Sequence, residues 1–391
     1  MSRRKSKVTI KDVAFALGVN PSTVSLVMNG SRRISAPTRE RVLKVAREMG
    51  YIPDKRAQGL RFRRTRVLGI MVPALNEIYV PTVVDGAYRT ARKAGYQLLI
   101  VYSGQTAEEE TDATMQLLAE GADGVMLIER RPDASGQPTE HPAYHLLLEH
   151  GVPTALLGTD CPAGFNQVDI AMQSFVLQIM DAVLSRGRGA SLITRHNGSL
   201  ERFISEKQEQ GFLEGMRKAG VADPTRFIFS KCDHHELVEL GRVAGQYLVE
   251  NFGLRQAILT ANDLIAEGVQ NYVMENGIRT GGDFTFVSLS DLPYSPYGPT
   301  AFASAIVPMG QCGESLAELV IGQINAGSNW TPRRRLFHPC PVTRHLERMD
   351  LSEEEKRELW NRQHEYRSRG FYQEFVRTES PVRAESTALP A

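Results

Sequence analysis

Three stretches near the start of the chain share one spacing, with apolar residues three or four positions apart. Ile10, Val13, Ala14 and Leu17 form the first stripe, Val24, Val27 and Met28 the second, and Val42, Leu43 and Ala46 the third. This period puts each set on one face of a helix. Polar residues and glycines mark the ends. Thr9-Ile-Lys-Asp12 is written as a capping box, and Gly18 stops the first helix before a tight turn at Val19. Asn20 suits the cap of the second helix and Pro21 its first position. Ser35 caps the third, Pro37 lies in its first turn, and Gly50 ends it. Two short helices joined by a glycine-containing turn, with a third packed beside them, predict a helix-turn-helix unit. In such a unit the second helix enters the major groove of DNA.

From Arg66 the pattern changes to apolar strands alternating with helices. Strands are predicted at Val67–Val72, Gln97–Val101, Gly124–Ile128, Thr154–Leu157, Ser191–Thr194, Phe227–Phe229, Ala257–Thr260 and Phe284–Leu289, with helices such as Tyr79–Ala94 and Ala107–Glu120 between them. Alternation of this kind implies parallel sheets covered on both faces, here divided between two lobes. The fold class is therefore an all-α head followed by an α/β body. A ligand would bind at the carboxyl ends of the strands, in the cleft between the lobes. Ser352-Glu-Glu-Glu355 opens a charged helix carrying Leu359, Trp360, Tyr366, Phe371, Tyr372 and Phe375, and Glu379–Ala391 is predicted to be disordered. This tail packs on the body or strengthens an oligomer. The resulting boundaries are 1–53 for the head, 54–65 for a linker, 66–348 for the body and 349–391 for the extension.

Charge sharpens the division. The chain has 391 residues and a formal net charge of +1, but residues 1–66 hold 17 Lys and Arg against 4 Asp and Glu, a net +13 that leaves −12 on the rest. A basic head on an acidic body is the electrostatic footprint of a nucleic-acid binder. The apolar runs are strand-sized, well short of the roughly 20 residues of a membrane-spanning helix, and Met1–Lys7 leads into an amphipathic helix with no apolar signal core. A cytoplasmic protein acting at the nucleoid, without a membrane partner, is the expectation. Cys161, Cys232, Cys312 and Cys340 form no CxxC pair and fit a reducing compartment. Cys232-Asp-His-His-Glu236 is the one cluster with metal-ligand residues, and it reads better as a solvated helix start; no metal or cofactor is expected. Gly187-Arg-Gly189 precedes a strand instead of following one, so it lacks phosphate-cradling geometry. Cys161 beside Asp160 has no histidine partner in view, and no other catalytic motif appears, so the chain is not expected to be an enzyme.

The residues of the head also carry a resemblance. Val8-Thr-Ile-Lys-Asp-Val-Ala14, Gly18-Val-Asn-Pro-Ser-Thr-Val-Ser25, Val27-Met-Asn-Gly30, Thr38-Arg-Glu-Arg-Val42 and Gly50-Tyr-Ile-Pro53 closely resemble the lac repressor (LacI/GalR) family. The resemblance implies that Pro21, Ser22 and Leu26 read bases, and that Thr9, Asn20, Thr23, Ser25, Asn29 and Tyr51 contact phosphates. Small hydroxyl and amide groups suit phosphate positioning. Leu26 stands where Arg or His is frequent and offers only apolar contact, so the operator sequence does not transfer. Residues 54–65 would form a hinge helix on specific DNA, with Ala57 and Leu60 in the minor groove and Leu60 as an apolar wedge. Gly59 weakens such a helix by about 1 kcal/mol relative to Ala, as coupled folding requires and as an ordinary linker also shows.

The body resembles the same family, which shares the periplasmic-binding-protein fold. Its landmarks are Ala87–Gly95, Gly124–Leu127, Gly151-Val-Pro153, Gln210-Gly-Phe212, Ala261-Asn-Asp263 and Gly313–Leu319, and the match spans roughly residues 8 to 345. The first lobe would hold about 66–162 and return near 302–335. The pocket departs from the sugar-binding pattern. Gln208 replaces an Arg, Ser290 with Asp291 beside it replaces an Asp, and Gly158 replaces another Asp, while Asn262 and Asp263 remain. Sugars need charged, bidentate groups in place of lost water. Either the carbohydrate-related effector is less hydroxylated than a free hexose, or the site is degenerate; a one-residue alignment slip or compensating side chains are the other reading. The implied protein is a homodimer or tetramer that represses from a pseudopalindromic double-stranded DNA operator under control of a small molecule. A transport solute-binding protein, an enzyme with an accessory DNA-binding head and a sequence-independent DNA binder are the alternatives.

Overall fold

The structure is a computed structural model and describes residues 8–28, 31, 33–51, 64–104, 106–129, 141–159, 161–185, 187–196, 199–230, 236–253, 256–278, 285–290, 303–343 and 378–381. The chain divides into two compact units, Met1–Thr65 and Arg66–Ala391.

In the first unit, α1 (Ile10–Leu17), α2 (Pro21–Met28) and α3 (Ala36–Glu48) surround a core of Val13, Ala14, Val24, Val27, Val42 and Ala46. Leu43, expected inside, is half-buried at its rim. The capping box forms: Thr9 N donates to Asp12 Oδ2 at 2.8 Å, and the Thr9 hydroxyl accepts from Asp12 N at 3.4 Å. The bond from the Thr9 backbone also holds the Asp12 carboxyl below its usual value. Gly18 takes φ +64°, the left-handed conformation that lets the chain leave α1 sharply. Ser35 differs from expectation. It occupies the cap position of α3, but its hydroxyl bonds the Thr38 hydroxyl at 2.9 Å and no helix N–H.

In the second unit, the first sheet contains β1 (Val67–Val72), β2 (Gln97–Tyr102), β3 (Gly124–Ile128), β4 (Thr154–Leu157), β5 (Asn166–Ile170), β11 (Arg333–Phe337) and β13 (Thr378–Pro381), in the order β13-β11-β5-β4-β3-β1-β2. The second contains β6 (Gly189–Thr194), β7 (Ile228–Ser230), β8 (Gln256–Thr260), β9 (Thr285–Ser288), β10 (Ala303–Ile306) and β12 (Cys340–Thr343), in the order β12-β10-β9-β8-β6-β7. All pairings are parallel except those of β12 and β13. The helices are α4 (Val80–Lys93), α5 (Ala107–Ala119), α6 (Pro142–Glu149), α7 (Met172–Leu184), α8 (Ser199–Lys218), α9 (Leu237–Phe252), α10 (Asp263–Glu275) and α11 (Met309–Ala326).

The chain passes between the lobes four times, from β5 into α7, from β10 into α11, from β11 into β12, and from β12 to β13. The lobe limits therefore shift from expectation: β5 and all of β11 belong to the first sheet, and β10 to the second. Thr378–Pro381, which overlaps the start of Glu379–Ala391, predicted to be disordered, forms an edge strand on β11, with Arg335 opposite Glu379. α4 and α11 pack at close range because they meet at glycines. A Cβ on Gly86 would run into the carbonyl of Gly310, and one on Gly313 into that of Val83.

Candidate functional site

The head presents α2 with one face buried and the other open. Val24 and Val27 are in the core, whereas Pro21, Ser22 and Leu26 are exposed, Leu26 at 38%. Asn20 positions the first turn: its Oδ1 accepts from Ser22 N at 2.9 Å and from the Ser22 hydroxyl at 2.7 Å. Thr23 and Ser25 are half-buried beside this face, as is Tyr51 against the core. The Thr9 hydroxyl donates to Asp12 Oδ2 at 2.7 Å. Lys11, Arg33, Arg41, Lys44 and Arg47 are exposed, so much of the basic charge of the head faces solvent. Asn29, Ala57 and Leu60 lie outside the described residues.

The body gathers polar groups at the carboxyl ends of its strands. On the second lobe these are Arg195 after β6, Asn262 after β8, Ser290 after β9, and Gln208 on α8. All except Arg195 are fully buried, and Arg195 nearly so. The amide orientations follow from backbone bonds. Gln208 Nε2 donates to the Ala261 carbonyl at 3.2 Å, and Asn262 Oδ1 caps α10 by accepting from Ile265 N at 3.2 Å. Three buried polar atoms then have no hydrogen-bond partner, Gln208 Oε1, Asn262 Nδ2 and Ser290 Oγ. Such atoms are uncommon in native interiors and each calls for an explanation. Asp291, the fourth residue expected here, lies outside the described residues.

Arg195 is paired with Glu201 at 2.7 Å. Burial pushes the Glu201 carboxyl up, Arg195 opposes this, and the charge of Glu77 adds to the rise. Glu77 belongs to the first lobe, and its Oε2 accepts from Leu200 N at 2.9 Å, so a carboxylate from one lobe sits at the helix N-terminus of the other. Tyr79, also from the first lobe, is buried against this cluster. Burial holds its phenol well above the ordinary value; Ser290 and Arg195 oppose the shift, and Glu201 and Asp263 reinforce it. The Ser290 hydroxyl is thus near Tyr79 without forming a well-aligned bond. On the first lobe, Glu129 follows β3 and its carboxylate lies over Gly158, where a Cβ would meet it, accepting from Thr159 N at 2.6 Å.

The sequence reading missed Glu77, Tyr79, Arg195, Glu201 and Glu129. Arg195 and Glu129 each immediately follow a predicted strand, a signal that was available; the lobe contacts of Glu77 and Tyr79 had none. Burial, aided by the charge of Glu129, pushes the Cys161 thiol up to about 12. Among the described residues no group of His, Cys, Asp and Glu could hold a metal ion, and no helix is long and apolar enough to cross a membrane. Cys232, His234 and His235 lie outside the described residues.

A helix-turn-helix head with its own core, followed by two parallel-sheet lobes whose strand ends meet across buried polar contacts, defines a DNA-binding regulator with an effector-binding body. Residues 9–54 match the bacterial regulatory proteins of the lacI family, and residues 188–345 match the periplasmic binding protein-like domain. The head is thus a lacI-family DNA-binding domain, and the body carries a periplasmic binding protein-like domain. The ribose operon repressor of Haemophilus influenzae is 24% identical over 341 residues, covering 86% of this chain and 97% of that protein. Catabolite control protein A of Priestia megaterium is 25% identical over 320 residues, 81% of this chain and 93% of its own. In fold, the chain is similar to the lac repressor dimer bound to operator and an anti-inducer, with a TM-score of 0.71 at 20% identity, covering 86% of this chain and 98% of that one.

Proposed function

We propose that this regulator is a homodimeric repressor that acts in the cytoplasm on a pseudopalindromic operator and responds to a small molecule held between its lobes. The observation that carries the reading is the exposed face of α2, with Pro21, Ser22 and Leu26 directed away from a packed core on a strongly basic head. These three side chains read base edges, Leu26 by apolar contact alone. Thr9, Asn20, Thr23, Ser25, Asn29 and Tyr51 hold phosphates and fix the register. Ala57 and Leu60 enter the minor groove at the operator centre.

Twofold pairing is supported by the edge of the first sheet. β2 ends the strand order, and Ile100 and Tyr102 on it are 39% and 57% exposed. An apolar edge strand invites pairing with another strand, and a symmetric partner would bring two heads to two half-sites. Gln208, Asn262 and Ser290 form the second-lobe wall of the effector site, with Asp291, next to Ser290 in sequence, as a further effector-binding residue, and the contacts of Glu77 and Tyr79 with that lobe link effector occupancy to lobe angle. Such a link makes effector and operator affinities reciprocal.

The test is to retain fragmented genomic DNA on the purified protein and sequence it. A shared short palindrome beside a defined set of genes is the expected result. Retention with no common motif would replace this reading with sequence-independent binding.

A further inference from the structure

The orphaned atoms of the second lobe have a definite chemistry. Gln208 Oε1 can only accept a hydrogen bond and Asn262 Nδ2 can only donate one, because backbone bonds fix both amide orientations. Ser290 Oγ can do either. All three residues are fully buried, and Gln208 bonds to the carbonyl of Ala261, the residue before Asn262, so the acceptor-bearing and donor-bearing amides both lie at the carboxyl end of β8. The nearby charges are already engaged. Arg195 is neutralised by Glu201, Glu77 is bonded to Leu200 N, Glu129 to Thr159 N, and Asp263 Oδ1 to the Ser304 hydroxyl at 2.9 Å. No described cation at these strand ends is left to receive an anion, and the carboxylates around them repel one. The phenol of Tyr79 stays protonated and adds a neutral donor beside Ser290.

We infer that the effector is a small uncharged molecule whose polar edge carries a hydrogen-bond donor next to an acceptor, as in a carboxamide or lactam, and that anions and free hexoses are rejected. The ligand donor meets Gln208 Oε1, its acceptor meets Asn262 Nδ2, and Ser290 makes the third bond. An anion would enter with its charge unpaired, a large cost in a buried site. A hexose would bring more hydroxyls than these neutral atoms can satisfy, with no bidentate charged group to hold them. This inference rests on the effector-site reading above and is independent of operator recognition.

The experiment is calorimetry on the full chain with matched probes: benzamide and 2-piperidone as neutral amides, benzoate and glucose 6-phosphate as anions, glucose and ribose as polyols. Amides are expected to bind, with benzamide tighter than benzoate. Ser290→Ala should weaken amide binding about fivefold, the loss of one neutral hydrogen bond. Its melting temperature should not fall, because that hydroxyl has no partner in the folded chain. Tighter binding of an anion or hexose than of the amides overturns the inference, as does absence of amide binding at millimolar concentration. Operator binding measured on the same preparation keeps the two readings apart: its loss would count against the regulator reading and leave the ligand result standing.

Discussion

Asp169 Oδ1 lies 3.0 Å from Lys207 Nζ, an ion pair between β5 of the first lobe and α8 of the second. The other oxygen of the same carboxylate receives Arg334 from β11 at 2.8 Å. Asp169 is 2% exposed, so this is a buried hub joining two crossover strands to the helix that carries Gln208, the residue after Lys207.

Replacing Asp169 by Asn should therefore destabilise the body and loosen the lobes together. Removing one partner of a buried pair costs about 3–5 kcal/mol, and the partial exposure of Arg334 lowers the expectation to about 2 kcal/mol. Urea denaturation would show the loss as a lower midpoint. A variant of unchanged stability would mean that water already screens the hub.

Changing Leu60 to Ala should reduce affinity for the specific operator while sparing most binding to random DNA, because a wedge acts only where the duplex is kinked. Gel-shift titrations on both DNAs give the comparison. An equal loss on each would count against the wedge.

Ile100→Asp on the open edge of β2 should shift the protein to monomer in sedimentation experiments and reduce operator affinity with it. A charge directed outward from an edge strand blocks strand pairing. If the variant remains dimeric, pairing uses another face.

Acid should weaken the contact of α8 with the end of β6. Burial alone would raise the Glu209 carboxyl, but bonds from His196 at 2.8 Å and the Thr194 hydroxyl at 2.5 Å hold it below its ordinary value of 4.5. A depressed folded pKa means stability that is present above 4.5 and lost as pH falls through the folded value. The melting temperature of Glu209→Gln should lie below that of the parent at about pH 7, with the gap closing below about pH 4. A gap independent of pH would assign the effect to packing.

The head could be read almost completely from sequence because its signals are local: one capping box, two left-handed glycines, Gly18 and Gly50, and three stripes at helical spacing. β5 and β11 could not, for a physical reason. Asn-Gln-Val-Asp-Ile and Arg-Arg-Arg-Leu-Phe are too polar to resemble buried strands, yet every residue of β5 is buried. Asn166 is satisfied by the Thr154 carbonyl, Gln323, Trp330 and Arg333 N, partners up to 167 residues away. A polar interior depends on remote partners, which no window of sequence contains. The effector site shows the same limit. The resemblance put Gln208, Asn262 and Ser290 at the effector pocket without showing that all three are buried, and Gly158 looked like a missing carboxylate. The structure places the carboxylate of Glu129 above it, delivered from the neighbouring strand.

The crossings between lobes also set a schedule for synthesis. The first sheet begins with β1 but lacks β11 until residue 337 is made, and α11, which covers that sheet, ends only at Ala326. The head, with a separate core complete by Tyr51, can fold while most of the body is still unmade. A ribosome that stalls before β11 would thus release a competent DNA-binding head on a half-built sensor, a fragment able to find DNA and unable to answer to any ligand.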